Sequence, residues 1–324
     1  MKTSNKLKGL LFVLSLMVLI PSVGFTQTVR EALEEYNAGA SIIKEDPEKA
    51  LEHLYRALEI SEDLDIEGRE AKELAESLIP RAHLQRAMNL YRAKKMLECI
   101  DEMEKAQETA EKYFDGNTLE RAERIMPQLY NQLGNREYRA DNFEEAISYY
   151  KKAIEIKSNY PDPLYGLALV NQKQENYEKM LDYLKKTLEV ANEVNDRDKA
   201  EDSQRKAKNY LLKEGDKAQK AKNYKEAIEF FTKALEFDNT DGTIYFLLAI
   251  NHSELKNWEE VVENGNLALE NPNGLDEAGI YYQLGVAHQN LGNNSEACEA
   301  FNNALSGSYR AAAEYQINEV LKCN

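Results

Sequence analysis

Cysteine, proline, glycine and tryptophan are all scarce in this chain of 324 residues, with 3, 7, 15 and 1 copies. Three cysteines, Cys99, Cys298 and Cys323, are too few for a disulfide framework and lack metal-ligand spacing. Low glycine and proline beside abundant Ala, Glu, Lys, Leu and Tyr favours helix almost throughout and leaves sheet little to build on. Positive charge is also in deficit, since 41 Lys and Arg stand against 57 Asp and Glu for a formal net charge of −16. A surface of that sign repels phosphate backbones and anionic lipid, which argues against nucleic acid as a partner.

One long apolar run stands at the N-terminus. Lys2, Lys6 and Lys8 precede apolar residues from Leu10 to Ile20, and Pro21 closes the run, which is the layout of a signal peptide. A spanning helix needs nearly twice that apolar length, and Ser22, Gly24 and Thr26 are small residues of the kind a signal peptidase accepts. No cysteine follows the run, so a lipid-modified N-terminus is not expected. Residues 1–26 are therefore read as an export signal cut after Gly24 or Thr26, with retention as a short membrane anchor as the alternative. Loss of its three lysines takes the charge from −16 to −19 and leaves 27–324 as a periplasmic or secreted protein without a membrane span.

The main signal is a repeat. Small residues seven apart recur as Ala50 and Ala57, Cys99 and Ala106, Ala146 and Ala153, Met180 and Thr187, Ala227 and Ala234, Val261 and Ala268, and Ala297 and Ala304. Between them usually sits a large apolar residue: Leu54, Met103, Tyr150, Leu184, Phe231 or Phe301. A turn such as Asp141-Asn142-Phe143 or Lys222-Asn223-Tyr224 comes just before, and a further small residue, Gly134, Ala168, Gly215, Ala249 or Gly285, comes twelve before the pair. Antiparallel helices joined by a tight turn approach closely only where side chains are small, so the small positions mark crossings and the large residues fill the space beside them. A lone hairpin cannot bury such a face, so the hairpins must stack.

These positions resemble the tetratricopeptide repeat family, whose unit of about 34 residues carries W/Y-x2-L-G-x2-Y on its first helix and A-x3-F-x2-A on its second. Tyr281, Leu284 and Gly285 with Ala297, Phe301 and Ala304 match closely, as do Tyr130, Leu133 and Gly134 with Ala146, Tyr150 and Ala153. The resemblance implies an all-α, right-handed superhelical solenoid of helix hairpins, with repeats at 31–64, 80–113, 127–160, 161–194, 208–241, 242–275 and 278–311. Asn37, Arg86 and Glu214 depart from an expected Leu, Gly265 from Phe and Met180 from Ala. The spacing between pairs swells in the stretches 65–79, 114–126 and 195–207, whose composition predicts extra turns on adjacent helices, with a break at Asp115-Gly116-Asn117. Pro80 and Pro127 either start first helices or kink longer ones. Residues 308–322 are expected to form a capping helix with Ala312, Ala313, Ile317, Val320 and Leu321 on or near its inner side.

No zinc-protease, phosphate-loop, dinucleotide or nucleophile-elbow spacing occurs, so no catalytic, cofactor or metal site is expected. His252 and His288 fall at the last core position of successive first helices, about 10 Å apart, too far for one metal ion. His53 and His83 are read as facing neighbouring helices with no acidic or cysteine partner at ligand spacing. Glu34-Glu35, Glu144-Glu145 and Glu259-Glu260 sit in first turns or on outer faces, where helix-dipole complementarity explains them. In the family Cys298 occupies a position facing the next helix, which Cys323 ends; a disulfide pinning the cap and buried thiols are both open. Cys99 replaces a small crossing residue and reads as core.

In this family the first helices line the concave side, which places Tyr165 and Leu169, Phe246 and Ile250, and Tyr282 and Val286 on it. Leu169, Ile250 and Val286 stand where Asn is frequent, giving an apolar strip that would receive an extended segment or a partner helix unless the chain's own terminal helix covers it. Arg92, Arg139, Lys173 and Lys220 recur at first-helix ends as possible basic contacts, although the helix dipole attracts cations there in any case. Gly166, Leu247 and Gln283 occupy positions where some members grip the carboxy-terminus of cytosolic heat-shock chaperones, so that activity is not expected. The reading is a non-catalytic scaffold for another protein or an extended peptide; the alternative is a binder of glycans or small molecules.

Overall fold

A computed structural model of the chain describes residues 28–323, so the export-signal reading of residues 1–26 lies outside the described residues. Among these residues the fold is an all-α solenoid of tandem helix hairpins with no strand. None of the described helices is long and apolar enough to cross a membrane. Two compact units are present, one ending at Ala122 and the other beginning at Glu123. The first unit holds α1 (Val29–Ile42), α2 (Pro47–Asp63), α3 (Arg69–Arg92) and α4 (Met96–Lys112). After α5 (Gly116–Arg139) come α6 (Phe143–Ile156), α7 (Pro161–Lys173), α8 (Tyr177–Glu193), α9 (Arg197–Lys220) and α10 (Tyr224–Leu235). The second unit then continues through α11 (Gly242–Glu254), α12 (Trp258–Glu270), α13 (Glu277–Asn290), α14 (Asn294–Asn303) and α15 (Arg310–Tyr315). Odd-numbered helices up to α13 are the first members of hairpins and even-numbered ones the second. Contacts join chain neighbours from α1 to α4 and from α6 to α15, and α1 with α3, α7 with α9 and α11 with α13 also touch.

Three first helices, α3, α5 and α9, have 24 residues each, because the Ala-, Glu-, Lys- and Arg-rich stretches before them are mostly helical. Pro80 and Pro127 therefore sit inside α3 and α5 and do not open them. Each removes one backbone N–H from its helix. The break expected at Asp115 is a helix start: its carboxylate accepts from the Thr118 N–H at 3.2 Å and the Thr118 hydroxyl at 2.8 Å, and Arg81 adds an ion pair at 3.2 Å.

Six hairpins share one turn. Lys94, Asp141, Glu175, Lys222, Lys256 and Gly292 each adopt a left-handed backbone after the first helix, with φ between 59° and 82°. The N–H of the following residue then donates to the carbonyl five positions back, as from Asn142 to Glu137, Asn176 to Asn171 and Asn257 to His252, at 2.9 to 3.0 Å. This closure satisfies a carbonyl that the ending helix would leave unpaired and turns the chain back for the second helix. Only at Gly292 is that conformation free of a Cβ penalty.

The crossings explain the small residues. Tyr150 and Phe231 are fully buried, as is Phe301, and each is an aromatic wedge driven between helices. A Cβ on Gly134 would lie 2.5 Å from the Tyr150 ring, and one on Gly166 of the next repeat would strike the same ring. The ring is thus held from two sides by glycines of successive first helices, and its hydroxyl donates to Asn135 Oδ1 at 2.9 Å. Gly215 faces Phe231 and Gly285 faces Phe301 in the same way. Where Gly265 replaces the expected Phe, Leu284 of α13 fills the gap, its Cδ2 only 2.6 Å from where a Cβ would be.

The C-terminal segment caps α13 and α14 but is not one regular helix. A 3-10 turn, Gly307–Tyr309, leads into α15, and Gln316–Leu321 is wound as a π-helix. Ala313 is fully buried and packs with Ala297, Phe301 and Ala304, with Ile317 and Leu321 beside it. Ala312 and Val320, expected on the inner side, face solvent, because the wider π turn rotates Val320 outward from an α-helical register.

The wedge generates a prediction with an unusual sign. Gly→Ala inside a helix normally stabilises by about 1 kcal/mol. Gly134→Ala and Gly166→Ala should instead each destabilise by roughly 1–2 kcal/mol, because the Tyr150 ring has no side to retreat to. Urea unfolding followed by helical circular dichroism checks this; a rise in midpoint for either variant would contradict the wedge.

Candidate partner-binding site

All six sequence-predicted apolar residues lie on first helices of the second unit and are half-buried. They do not share one environment. Lys199 of α9 sits over the Tyr165 ring at 4.8 Å and pairs with Asp162 at 2.9 Å, so the neighbouring first helix covers part of that ring with a cation. Burial, reinforced by Asp202, raises the Tyr165 hydroxyl above the ordinary phenol range, which keeps it neutral. Phe246 packs into the cluster around Ile280 and Leu284, and its ring tip approaches Gly279 at the start of α13. Tyr282 contacts Phe301 edge-on at 5.6 Å and Tyr309 of the terminal segment at 5.4 Å. Val286 packs against the cluster of Ala297, Phe301, Ala304 and Ala313, the last of these from the terminal segment. The terminal segment thus covers the repeat-seven end of the strip, whereas Leu169 of α7 and Ile250 of α11 lie away from it.

Each of the four basic residues occurs in the last turn of its first helix, the end that favours cations. Arg92 donates to Asn89 at 3.0 Å and Lys220 pairs with Asp216 at 2.6 Å. Arg139 and Lys173 are exposed. These four mark the turn end of the hairpins and do not gather around the apolar residues.

Cys298 and Cys323 are joined in a disulfide with their Cα atoms 5.8 Å apart, tying the end of the terminal segment to α14. Cys99 is fully buried in α4, and burial pushes its thiol up to about 11, so it is an inert core residue.

Two histidines need correction, because each has an acidic partner from a neighbouring helix. His53 Nδ1 lies 2.6 Å from Glu35 at the surface. His83 Nδ1 lies 2.8 Å from Glu102 Oε2, with both side chains buried, while the Tyr55 hydroxyl lies 3.0 Å from His83 Nε2. The second Glu102 oxygen meets Lys105 at 2.8 Å and Arg86 at 3.5 Å, and Arg86 continues to Glu48 at 3.1 Å. Burial dominates at His83 and pulls its pKa below the ordinary 6.5 despite Glu102. At Glu102 burial would raise the pKa, but hydrogen bonds from Lys105 and His83 outweigh it and hold the carboxyl below 4.5. The consistent state at neutral pH is a neutral imidazole donating Nδ1–H to the Glu102 carboxylate and accepting from Tyr55 at Nε2. Sequence spacing missed this network because Tyr55, His83 and Glu102 come from α2, α3 and α4. The departing Arg86, read as an irregular repeat position, was the available signal.

His252 and His288 occupy matching positions at first-helix ends and face the turn asparagines Asn257 and Asn293 at 3.3 and 3.5 Å. No group of three or more His, Cys, Asp or Glu among the described residues is placed to hold a metal ion.

Hairpins that close through a left-handed turn, cross at glycine or alanine, and stack in sequence define a helical repeat protein. The repeats are of tetratricopeptide type: the family model for a TPR repeat matches residues 134–175, and that for a tetratricopeptide repeat matches 210–241 and 278–306. Solved structures with similarity include the Arabidopsis OM64 TPR domain (22% identity, 36% of this chain and 97% of that one, TM-score 0.33). Another is YrrB, a TPR protein with an unusual peptide-binding site (19% identity, 59% and 91%, TM-score 0.32). A third is the TPR2AB domain of yeast Sti1 in complex with pHSP90 (18% identity, 89% and 92%, TM-score 0.31). Superpositions this loose carry nothing about the shape or partner of this chain.

The buried network makes stability depend on pH in one direction. The unfolded imidazole titrates near 6.5 and the folded one lower, so the unfolded state binds more protons between the two and stability falls as pH drops through that window. Glu102 adds to the loss below 4.5. Thermal melts should show a lower midpoint at pH 5 than at pH 7, and His83→Gln should shrink that difference. In denaturant without reductant, one of the three cysteines, Cys99, should take up an alkylating label, and all three after reduction; three labels without reduction would rule out the tie.

Proposed function

We propose that the protein is a non-catalytic scaffold that holds another protein or an extended peptide on the first-helix face of its second unit. Tetratricopeptide arrays use the surface lined by their first helices for this purpose. The observation that carries the reading here is the placement of Leu169 and Ile250: half-buried apolar side chains on α7 and α11, away from the terminal segment that packs on Tyr282. Apolar groups at such positions gain from an occupant that removes them from water, roughly 25 cal/mol for each Å² covered. Tyr165 and Phe246 stand one turn before them and supply aromatic edges for the same occupant. Arg139 and Lys173 are candidate contacts for its carboxylates at the turn end.

The site of action is proposed to be the periplasm or the extracellular space. The basic-then-apolar N-terminus supports this, and so does the Cys298–Cys323 tie, which persists in oxidising compartments.

A photo-crosslinking amino acid at 169 or at 250 tests the face. Both positions should capture the same host protein, and the same group at exposed Glu229 on α10 should not. Leu169→Asn with Ile250→Asn should leave helical circular dichroism unchanged and abolish that capture. Equal capture from all three positions, or capture that survives the double substitution, would count against the reading.

A further inference from the structure

A cavity of about 890 Å³ opens on the other side of the hairpins, between the second helices α6 and α8, with α7 as its floor. Its apolar base is made by Ile147, Leu167 and Tyr183. Lys151, Lys179 and Lys186 stand around it, and among the described residues none of the three is in an ion pair. Lys186 instead leans over the Tyr183 ring, 5.6 Å from its centroid. Glu144 and Asp182 also line the cavity, so the cations outnumber the anions by one in a chain whose net charge is −16.

A second observation singles out this place. Five hairpin turns carry an asparagine after the left-handed residue, and four use its side chain locally: Asn142 donates to Glu137 and Asn223 to Glu226, while Asn257 and Asn293 meet His252 and His288. The fifth, Asn176, has no side-chain hydrogen bond among the described residues, and it lines the cavity. The residue that would engage it, Asn171, is more than nine-tenths buried and donates its own Nδ2 to the Leu167 carbonyl at 2.8 Å. A turn amide with no protein partner, three ammonium groups outside any ion pair with a net excess of one positive charge, and an apolar floor therefore converge on one opening.

We infer that the cavity between α6 and α8 is a second docking site, independent of the first-helix face, for an extended peptide segment with a few carboxylates around one apolar side chain. The apolar side chain rests on Leu167, Ile147 and Tyr183, Asn176 bonds the peptide main chain, and the carboxylates meet Lys151, Lys179 and Lys186. A dense polyanion fits less well, because the acidic chain repels it at long range and Glu144 and Asp182 repel it at short range. A scaffold with sites on both faces of one unit can hold two partners at once.

The test is fluorescence anisotropy of the full chain at low ionic strength with labelled Gly-Ser-Glu-Leu-Asp-Glu-Ser-Gly and a twin carrying Lys in place of each carboxylate. The acidic peptide should bind saturably and the basic twin should not. Lys151→Glu with Lys186→Glu should weaken binding about tenfold, the loss of about 1.4 kcal/mol. Asn176→Ala should weaken it about threefold, near the net worth of one hydrogen bond. Lys44→Glu with Lys49→Glu makes the same change in net charge in the first unit and should have little effect, as should Leu169→Asn with Ile250→Asn. Absence of saturable binding, equal loss in both charge pairs, or loss on changing Leu169 and Ile250 would each overturn the inference, the last by placing the peptide on the first-helix face. All variants change surface or half-buried positions, and circular dichroism confirms folding before binding is read.

Discussion

The close approach of helix pairs at residues without bulk, each held apart by one aromatic or aliphatic wedge, is the constraint on which the rest of the structure depends. Tyr150 shows it most clearly, since its ring is buried between Gly134 and Gly166 of two successive first helices. Such a contact joins hairpin to hairpin as well as helix to helix. Dispersion and apolar burial there are short-ranged and fall away with small gaps, so each hairpin is stable only against a neighbour of matching shape. The left-handed turns serve the same end by fixing the angle at which the second helix returns.

Faces not consumed by stacking are free for other uses, and their chemistry differs around the array. Along the first helices the apolar positions are graded: a cation covers part of Tyr165, the terminal segment meets Tyr282, Phe246 and Val286 join neighbouring core clusters, and Leu169 and Ile250 are left. Along the second helices the cavity over α7 is lined by three lysines outside any ion pair, two carboxylates and an unengaged turn amide. The buried Tyr55–His83–Glu102 network belongs to neither face. A carboxylate in that position is held by hydrogen bonds from the neutral His83 imidazole and from Lys105, and the network fixes how α2, α3 and α4 register, at the cost of a sensitivity to acid.

Much of the fold was legible in the residue pattern because its cause is local. Ala146 and Ala153 around Tyr150, or Ala297 and Ala304 around Phe301, recur at helical spacing, and the turn before them is written in three residues. The candidate site was legible only as a set of positions. Tyr165, Leu169, Phe246, Ile250, Tyr282 and Val286 were placed on first helices by register, but what covers each depends on side chains far along the chain: Lys199 for Tyr165 and Tyr309 for Tyr282. The histidine partners escaped for the same reason, since Glu102 is near His83 through the return of a helix and not through any sequence interval. Val320 was misplaced because an α-helical period was applied where a π turn intervenes, and Ala312 because it stands about 100° round α15 from the buried Ala313.

The residue order by itself determined that this chain is helical, that its helices pair as hairpins, and which residues sit at the crossings, because side-chain volume and period act between near neighbours. Which surfaces are left open, which charges are compensated, and which cysteines meet were decided only in the tertiary structure. Those properties are sums over groups brought together by stacking, and no spacing along one strand of text contains them.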